Sequence, residues 1–308
     1  MDAGLRPVGR PRNGDRNGLP MRSLLFVPAD SPKKLDRAMG SGADALIVDL
    51  EDSIAHDGKS RARHSAAAFL KEAVPLQSRP YLLVRVNGLQ TGLIDDDLDA
   101  IAPAKPDAIM LPKAEGGASV IHGDAKLAVR EAKSDLPDGH IKILPIATET
   151  AAALFVAGSF AGASARLLAL TWGAEDLSAE LGARTNRDAQ GRWLDAYRLA
   201  RVLCLVGAAS ARVPAIDTVY VDFRNSDGFR RECEEASRDG FLGKMAIHPA
   251  QVPIINEVFT PSGKAIEHAR AVIEAFAANP GAGVVGIGGV MYDRPHLVRA
   301  EQMLARAR

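Results

Sequence analysis

The chain has 308 residues, and 38 Lys and Arg balance 38 Asp and Glu, so its formal net charge is zero. Hydrophobic residues at 47% and charged residues at 25% are ordinary for a soluble globular enzyme and exclude a mainly disordered chain. The balanced charge argues against nucleic-acid binding through a bulk positive field, and no apolar run reaches the roughly 18 residues of a membrane span.

Residues 1–20 (MDAGLRPVGRPRNGDRNGLP) are rich in Gly, Pro and Arg. They show no hydrophobic periodicity and no secretory apolar stretch, which predicts a disordered tail. Met21 stands directly before the first strand-like run and is a candidate translation start. Eight strand-like runs follow, at 23–28 (SLLFVP), 45–50 (ALIVDL), 81–87 (YLLVRVN), 108–112 (AIMLP), 142–148 (KILPIAT), 167–172 (LLALTW), 218–223 (TVYVDF) and 244–248 (KMAIH). Most are short and almost continuously apolar, as expected of strands buried on both faces of a parallel sheet. Helical patterns separate them. Asp30-Ser31-Pro32 offers a cap and a first-turn proline, and 61–74, 118–133, 189–211 and 227–239 carry helical spacing.

Eight βα units in succession predict an α/β fold, a (β/α)8 TIM barrel over residues 21–258. A doubly wound open sheet is the main competitor, weakened by the absence of GxGxxG after an early strand. Residues 259–308 read as a C-terminal helical extension. A helix is expected at 261–278, a Gly-rich loop with a short apolar run at 279–290, and a second helix at 291–308. The extension is too short for a domain of its own, so it is expected to pack on its own barrel or on an adjacent subunit.

Barrel active sites lie at the C-terminal ends of the strands. There the sequence places Asp49, Glu51 and Asp52, then Arg85 and Asn87, Lys113 and Glu115, Glu149, the segment Trp172-Gly173-Ala174-Glu175-Asp176, Asp222, and His248. There is no GxSxG or HExxH. Cys204 and Cys233 form no CxxC or CxxH, which argues against a disulfide framework or thiolate zinc site and fits a reducing cytoplasm. The carboxylates suit a hard cation, with Glu149 and Asp176 as the best pair and Gly173 allowing close backbone approach. Each acid alone could equally be a first-turn helix acid. Arg85, in an otherwise apolar run, needs an anionic partner, either a substrate carboxylate or Glu51 or Asp52. His248 reads as a packed strand end and Trp172 as rim packing. Lys113 could form a Schiff base, but a salt bridge with its neighbour Glu115 is favoured.

RSLLFVPADSPKKLDRA, DALIVDLEDSI, VRVNG, IMLPKAE, ATET, TWGAEDLSAELG and MAIHPAQV occur in this order. Together they resemble the citrate lyase beta-subunit-like family of the HpcH/HpaI aldolase superfamily, which includes malyl-CoA and citramalyl-CoA lyases. The resemblance spans nearly all of residues 21–308. It implies a cytoplasmic homo-oligomer, a trimer or hexamer, that needs Mg2+ (or Mn2+) and acts on CoA thioesters. Through it, Glu149 and Asp176 match the metal ligands, and Arg85 matches the arginine that holds a keto-acid carboxylate. Gly173 and Ala174 match the backbone approaching that carboxylate. Glu51 and Asp52 match an acidic pair with a supporting role. Arg22, Pro28 and Lys33 fall in the CoA-binding segment. VMYDRPHLVRAEQML resembles the tail that supplies a catalytic Asp to an adjacent subunit, matching Asp293. Asp293 also suits the cap of the last helix.

The implied reaction cleaves or forms a β-hydroxyacyl-CoA, giving an acyl-CoA and a 2-keto acid, with Asp293 moving the α-proton. Four alternatives stand beside it: a citrate lyase subunit using a carrier-bound thioester, a malyl-CoA thioesterase, an aldolase acting on free aldehydes, and a non-catalytic acyl-CoA sensor. The sequence points to no nucleic-acid or membrane partner.

Overall fold

Short apolar runs followed by polar turns give parallel strands here because each strand is covered on both faces and each crossover brings a helix back over the sheet. The computed structural model describes residues 21–307, so the expected disordered tail lies outside the described residues. The strands are β1 (Ser23–Pro28), β2 (Ala45–Asp49), β3 (Tyr81–Arg85), β4 (Ala108–Leu111), β5 (Lys142–Pro145), β6 (Leu170–Thr171), β7 (Ala215–Asp217) and β8 (Gly243–Ala246). The helices between and after them are α1 (Pro32–Met39), α2 (Lys59–Ala73), α3 (Ile94–Ile101), α4 (Gly117–Lys133), α5 (Ala151–Leu154), α6 (Ala174–Glu180), α7 (Asp195–Ala211), α8 (Ser226–Asp239) and α9 (Val252–Phe259).

The strands pair in the order β5-β4-β3-β2-β1-β8-β7-β6. β1 pairs in parallel with β2 (Leu24 opposite Ala45) and with β8 (Ser23 opposite Lys244). Parallel bridges Ile143–Leu167 and Ile146–Thr171 join the two ends of the sheet, so the fold is a (β/α)8 TIM barrel. Leu46, Ile47, Val48, Leu83 and Ile109 are fully buried in its core.

Three local expectations change. The seventh strand is the short Ala215–Asp217, not 218–223, and Val221 and Phe223 are exposed in the loop beyond it. TVYVDF carries β-favouring residues, but position along the barrel outweighs propensity. Residues 189–194 are loop rather than the start of α7. Ser31 precedes α1 with Pro32 at its first position, yet its hydroxyl makes no capping bond.

The chain divides into two compact units, one of residues Met21–Asn256 and one from Glu257 onward. The second unit contains α10 (Gly263–Ala278), β9 (Val284–Ile287), β10 (Val290–Asp293) and α11 (Arg294–Arg306). Ser262 caps α10 by accepting from Ala265 N at 3.2 Å. The expected Gly-rich loop is instead an antiparallel hairpin turning at Gly288 and Gly289, whose φ of 56° and 81° suit a two-residue turn. The unit has its own small core of Ala269, Val272, Phe276, Val285 and Ala300. Among the described residues no helix is long and apolar enough to cross a membrane.

Candidate active site

The C-terminal ends of the barrel strands surround a cavity of about 340 Å³. Phe26, Ile146, Trp172 and Met245 form apolar wall, and Asp49, Arg85, Glu149 and Asp176 supply charge. Pro28, Asp52, Gly173 and Ala174 also line it. A larger groove of about 960 Å³ lies against α7, α8 and the loop before α7. Its charges pair among themselves, as in Arg187–Glu232, Arg192–Asp188 and Arg201–Asp239, so the smaller cavity is the better candidate for chemistry.

Arg85 ends β3 and reaches the cavity across β2. Its Nε and Nη2 donate to the two carboxylate oxygens of Asp49, each at 2.7 Å. Of the acids beside it, Glu51 and Asp52 are the protein partners expected from the sequence, but the fork is held by Asp49, one residue beyond Val48 on the adjacent strand. Nη1 lies 2.9 Å from Glu51 Oε2 and 3.7 Å from Asp52. The Glu51 contact is in ion-pair range but not aligned as a hydrogen bond. Burial pushes Asp49 up, but its bonds to Arg85 outweigh this and hold it below the usual carboxylate range. Burial works against the Arg85 charge, yet Asp49 and Glu51 raise its pKa further above the ordinary arginine value. The cation is therefore oriented and fixed, with Nη1 left on the side of Glu51 and Asp52.

Glu149 follows β5 and Asp176 lies in the first turn of α6, just past β6. Glu149 is 2% exposed. Burial, then the neighbouring Asp176 charge, pushes its pKa well above the ordinary value. Gly173 makes this arrangement possible. A Cβ there would stand 3.1 Å from Glu149 Cγ and 3.3 Å from Ile146 Cγ2, so the need is for close approach rather than unusual φ.

Lys113 links the two acids. Its φ of 50° is in the left-handed region, uncommon for a lysine. Its backbone N donates to Glu149 Oε2 at 2.6 Å, and its Nζ donates to Glu51 Oε1 at 2.6 Å. The same ammonium is 3.1 Å from Asp176 Oδ1. Glu51 and Asp176, with Asp52 at 3.8 Å, take the place of the expected partner Glu115 at the ammonium, and the left-handed backbone at Lys113 accompanies this turn of the side chain into the mouth. Burial lowers the Lys113 pKa, but Glu51, Glu149 and Asp176 more than restore it, so the amine stays charged. A charged amine is a poor Schiff-base nucleophile. Lys59, which no motif marks, is buried and donates to Leu50 O, Glu51 O and Asn87 Oδ1.

Five carboxylates (Asp49, Glu51, Asp52, Glu149, Asp176) thus meet three cations (Arg85, Lys113, Lys59). Among the described residues no group of three or more His, Cys, Asp or Glu is placed to hold a metal. A two-carboxylate site instead suits magnesium, which usually keeps several waters and takes other oxygens from substrate.

The other sequence-selected residues lie apart. Arg22 precedes β1, at the opposite end of the barrel from the mouth, and its guanidinium grips both oxygens of Asp44 at 2.8 Å. It is not brought to the cavity. Lys33 is exposed in the first turn of α1, beyond the mouth end of β1. Asp293 belongs to the second compact unit and stands as N-cap of α11, with His296 Nδ1 against its carboxylate. That contact holds the Asp293 carboxyl below its ordinary range. Trp172 is buried, donates to Asp217 Oδ1 at 2.8 Å and meets Trp193 edge-on. His248 stacks on Phe223 and accepts from Ala250 N, a structural strand end as expected.

Comparison with known proteins agrees with this geometry. Residues 22–249 match the HpcH/HpaI aldolase/citrate lyase family. A (3S)-malyl-CoA thioesterase of Cereibacter sphaeroides is 39% identical over 290 residues, covering 94% of this chain and 95% of that protein. The citrate lyase subunit beta of Escherichia coli is 35% identical over 288 residues, covering 93% of each. The crystal structure of CitE from Mycobacterium tuberculosis, in complex with magnesium, acetoacetate and coenzyme A, superposes with a TM-score of 0.75 at 34% identity. That match covers 93% of this chain and 97% of the CitE chain. The chain belongs to the HpcH/HpaI aldolase/citrate lyase family.

Proposed function

We propose that this member of the HpcH/HpaI aldolase/citrate lyase family is a magnesium-dependent carbon–carbon lyase acting on a β-hydroxyacyl-CoA such as malyl-CoA or citramalyl-CoA. The observation that carries this reading is the Glu149–Asp176 pair beside the fixed cation Arg85 in one cavity. Glu149 and Asp176 would hold magnesium, whose Lewis acidity, when bound, stabilises negative charge on the oxygen that becomes the keto group. Arg85 binds the substrate carboxylate, and Asp49 keeps its guanidinium plane from turning. The backbone at Gly173 and Ala174 orients the same carboxylate, and Glu51 and Asp52 support Arg85 from the other side. Trp172 and Ile146 exclude water from the wall. In cleavage the bond between the hydroxyl-bearing carbon and the α-carbon breaks, and the hydroxyl proton passes to solvent water at the mouth. The electron pair left on the acyl-CoA enolate takes a proton from the carboxyl of Asp293, which the tail of an adjacent subunit would contribute. In the reverse direction Asp293 takes the α-proton. Lys33 contributes to CoA binding, and the active species is a cytoplasmic homo-oligomer, a trimer or hexamer.

A second reading, a malyl-CoA thioesterase, draws support from the near full-length similarity to such an enzyme. It shares the metal pair and Arg85 and differs in what is released. Full-length protein with malyl-CoA, citramalyl-CoA or citryl-CoA, with and without magnesium, separates the two. A lyase releases keto acid together with acyl-CoA, whereas a thioesterase releases free CoA thiol and no keto acid. Magnesium-dependent cleavage should vanish in Asp176→Ala; activity that survives chelator in that variant would refute the metal assignment. Asp293→Asn should lower turnover about 10²–10⁴-fold with little change in KM. Unchanged turnover there would leave Asp293 as a helix cap alone.

A further inference from the structure

The ammonium of Lys113 lies 3.1 Å from Asp176 Oδ1, and its own backbone N–H donates to Glu149. We infer that Lys113 is a positioning residue that takes the place of the metal at Asp176 when the site is empty and withdraws onto Glu51 when a divalent cation arrives. This rests on the reading of Glu149 and Asp176 as the metal pair.

Three observations carry it. First, the buried Glu149 and the half-buried Asp176 stand side by side, and Lys113 Nζ at 3.1 Å from Asp176 Oδ1 brings a positive charge to the pair. Secondly, the ammonium does not depend on Asp176. Its shorter bond is to Glu51 Oε1, at 2.6 Å, and Asp52 stands 3.8 Å away. Release of Asp176 therefore strands no charge. Thirdly, the residue addresses the pair in two separable ways. The backbone N–H fixes Glu149 whatever the side chain does, because the left-handed φ of 50° aims it there. The side chain alone competes for Asp176. A cation entering the site meets one carboxylate already oriented and another held in reserve by a displaceable ion.

Competition of this kind makes a counterintuitive demand on mutants: removing the lysine should tighten metal binding. The measurement is Mn2+ binding to full-length, substrate-free protein, read from the free-ion electron paramagnetic resonance signal. Lys113→Gln and Lys113→Gly both delete the charge, and glycine adopts the positive φ without strain, so the backbone bond to Glu149 survives in at least one of them. Each should bind Mn2+ about tenfold more tightly than the wild type, and Lys113→Arg should not. Metal-free Lys113→Gln should also melt below the wild type and recover more on adding Mn2+. A residue serving only to support the fold would not raise affinity. Unchanged or weaker Mn2+ binding in both the Gln and Gly proteins overturns the inference while leaving the metal site intact. Wild-type protein that binds no Mn2+, or Asp176→Ala that binds it as well as wild type, overturns the metal reading and this inference with it.

Discussion

The two ends of the barrel use the same side chains to opposite effect. At the N-terminal ends of the strands, Arg22 before β1 is forked by Asp44 before β2, and Arg79 before β3 is forked by Asp107 before β4. Each arginine there has its own aspartate, and Asp107 also accepts from Leu82 N at 2.7 Å. At the mouth, Arg85 is forked by Asp49 in the same geometry, but further acids crowd in without cations to match. Neutralised pairs at one end tie strands together. Unmatched charge at the other end is a standing cost, which persists where a ligand relieves it.

Four changes break or sharpen that contrast. The largest effect is expected from Glu149→Gln, which should cut kcat/KM about 10³-fold while raising the melting temperature of the metal-free protein, since a repelled buried acid is removed. Loss of activity with no gain in stability would blur the difference between the ends. Gly173→Ala comes next. Its methyl would crowd Glu149 Cγ, and a displacement of that carboxylate should slow turnover about 10- to 100-fold in steady-state assays. At the opposite end, Asp44→Ala should lower unfolding free energy by about 1–3 kcal/mol in urea titration and leave kcat/KM as in the wild type. Dependence of CoA-substrate KM on Asp44 would instead tie Arg22 to the mouth.

The smallest effect concerns pH. Asp49 has a depressed folded-state pKa, so its pairing with Arg85 stabilises fully above the unfolded value near 3.9. That contribution is lost as pH falls through the lower folded value. Asp49→Asn should therefore flatten the fall in stability below about pH 4, measured as melting temperature against pH.

Much of this is legible in the residues alone. Buried parallel strands announce themselves as short apolar runs, and acids just past such runs fall at the mouth whatever their exact register. The seventh strand was misplaced because Ala215–Asp217 is only three residues long and ends in a buried aspartate, while the loop after it is richer in β-formers. Glu51 and Asp52 stand in ion-pair range of Arg85 as expected, but its forked partner, Asp49, escapes sequence reasoning for a related reason. Which of Asp49, Glu51 and Asp52 faces β3 depends on the pairing of Asp49 with Arg85, and register is set by two strands together. Lys113 could not be placed because its positive φ leaves no trace in residue type. The resemblance put Arg22 near the CoA segment, whereas its position before β1 commits it to the far end of the barrel.

The seam between β5 and β6 has a consequence for how the barrel breathes. β6 is only two residues long, and the seam relies on isolated bridges rather than a continuous ladder. Its amides include Ile143 N to Arg166 O, Leu168 N to Ile143 O and Ala147 N to Thr171 O. Glu149 and Asp176 sit just past these same two strands. An ion shared by them would act as a clasp over the least continuous joint in the sheet, so hydrogen exchange at Leu168 and Ala147 should slow when the ion is present, and opening of the barrel would be governed by occupancy of its own active site.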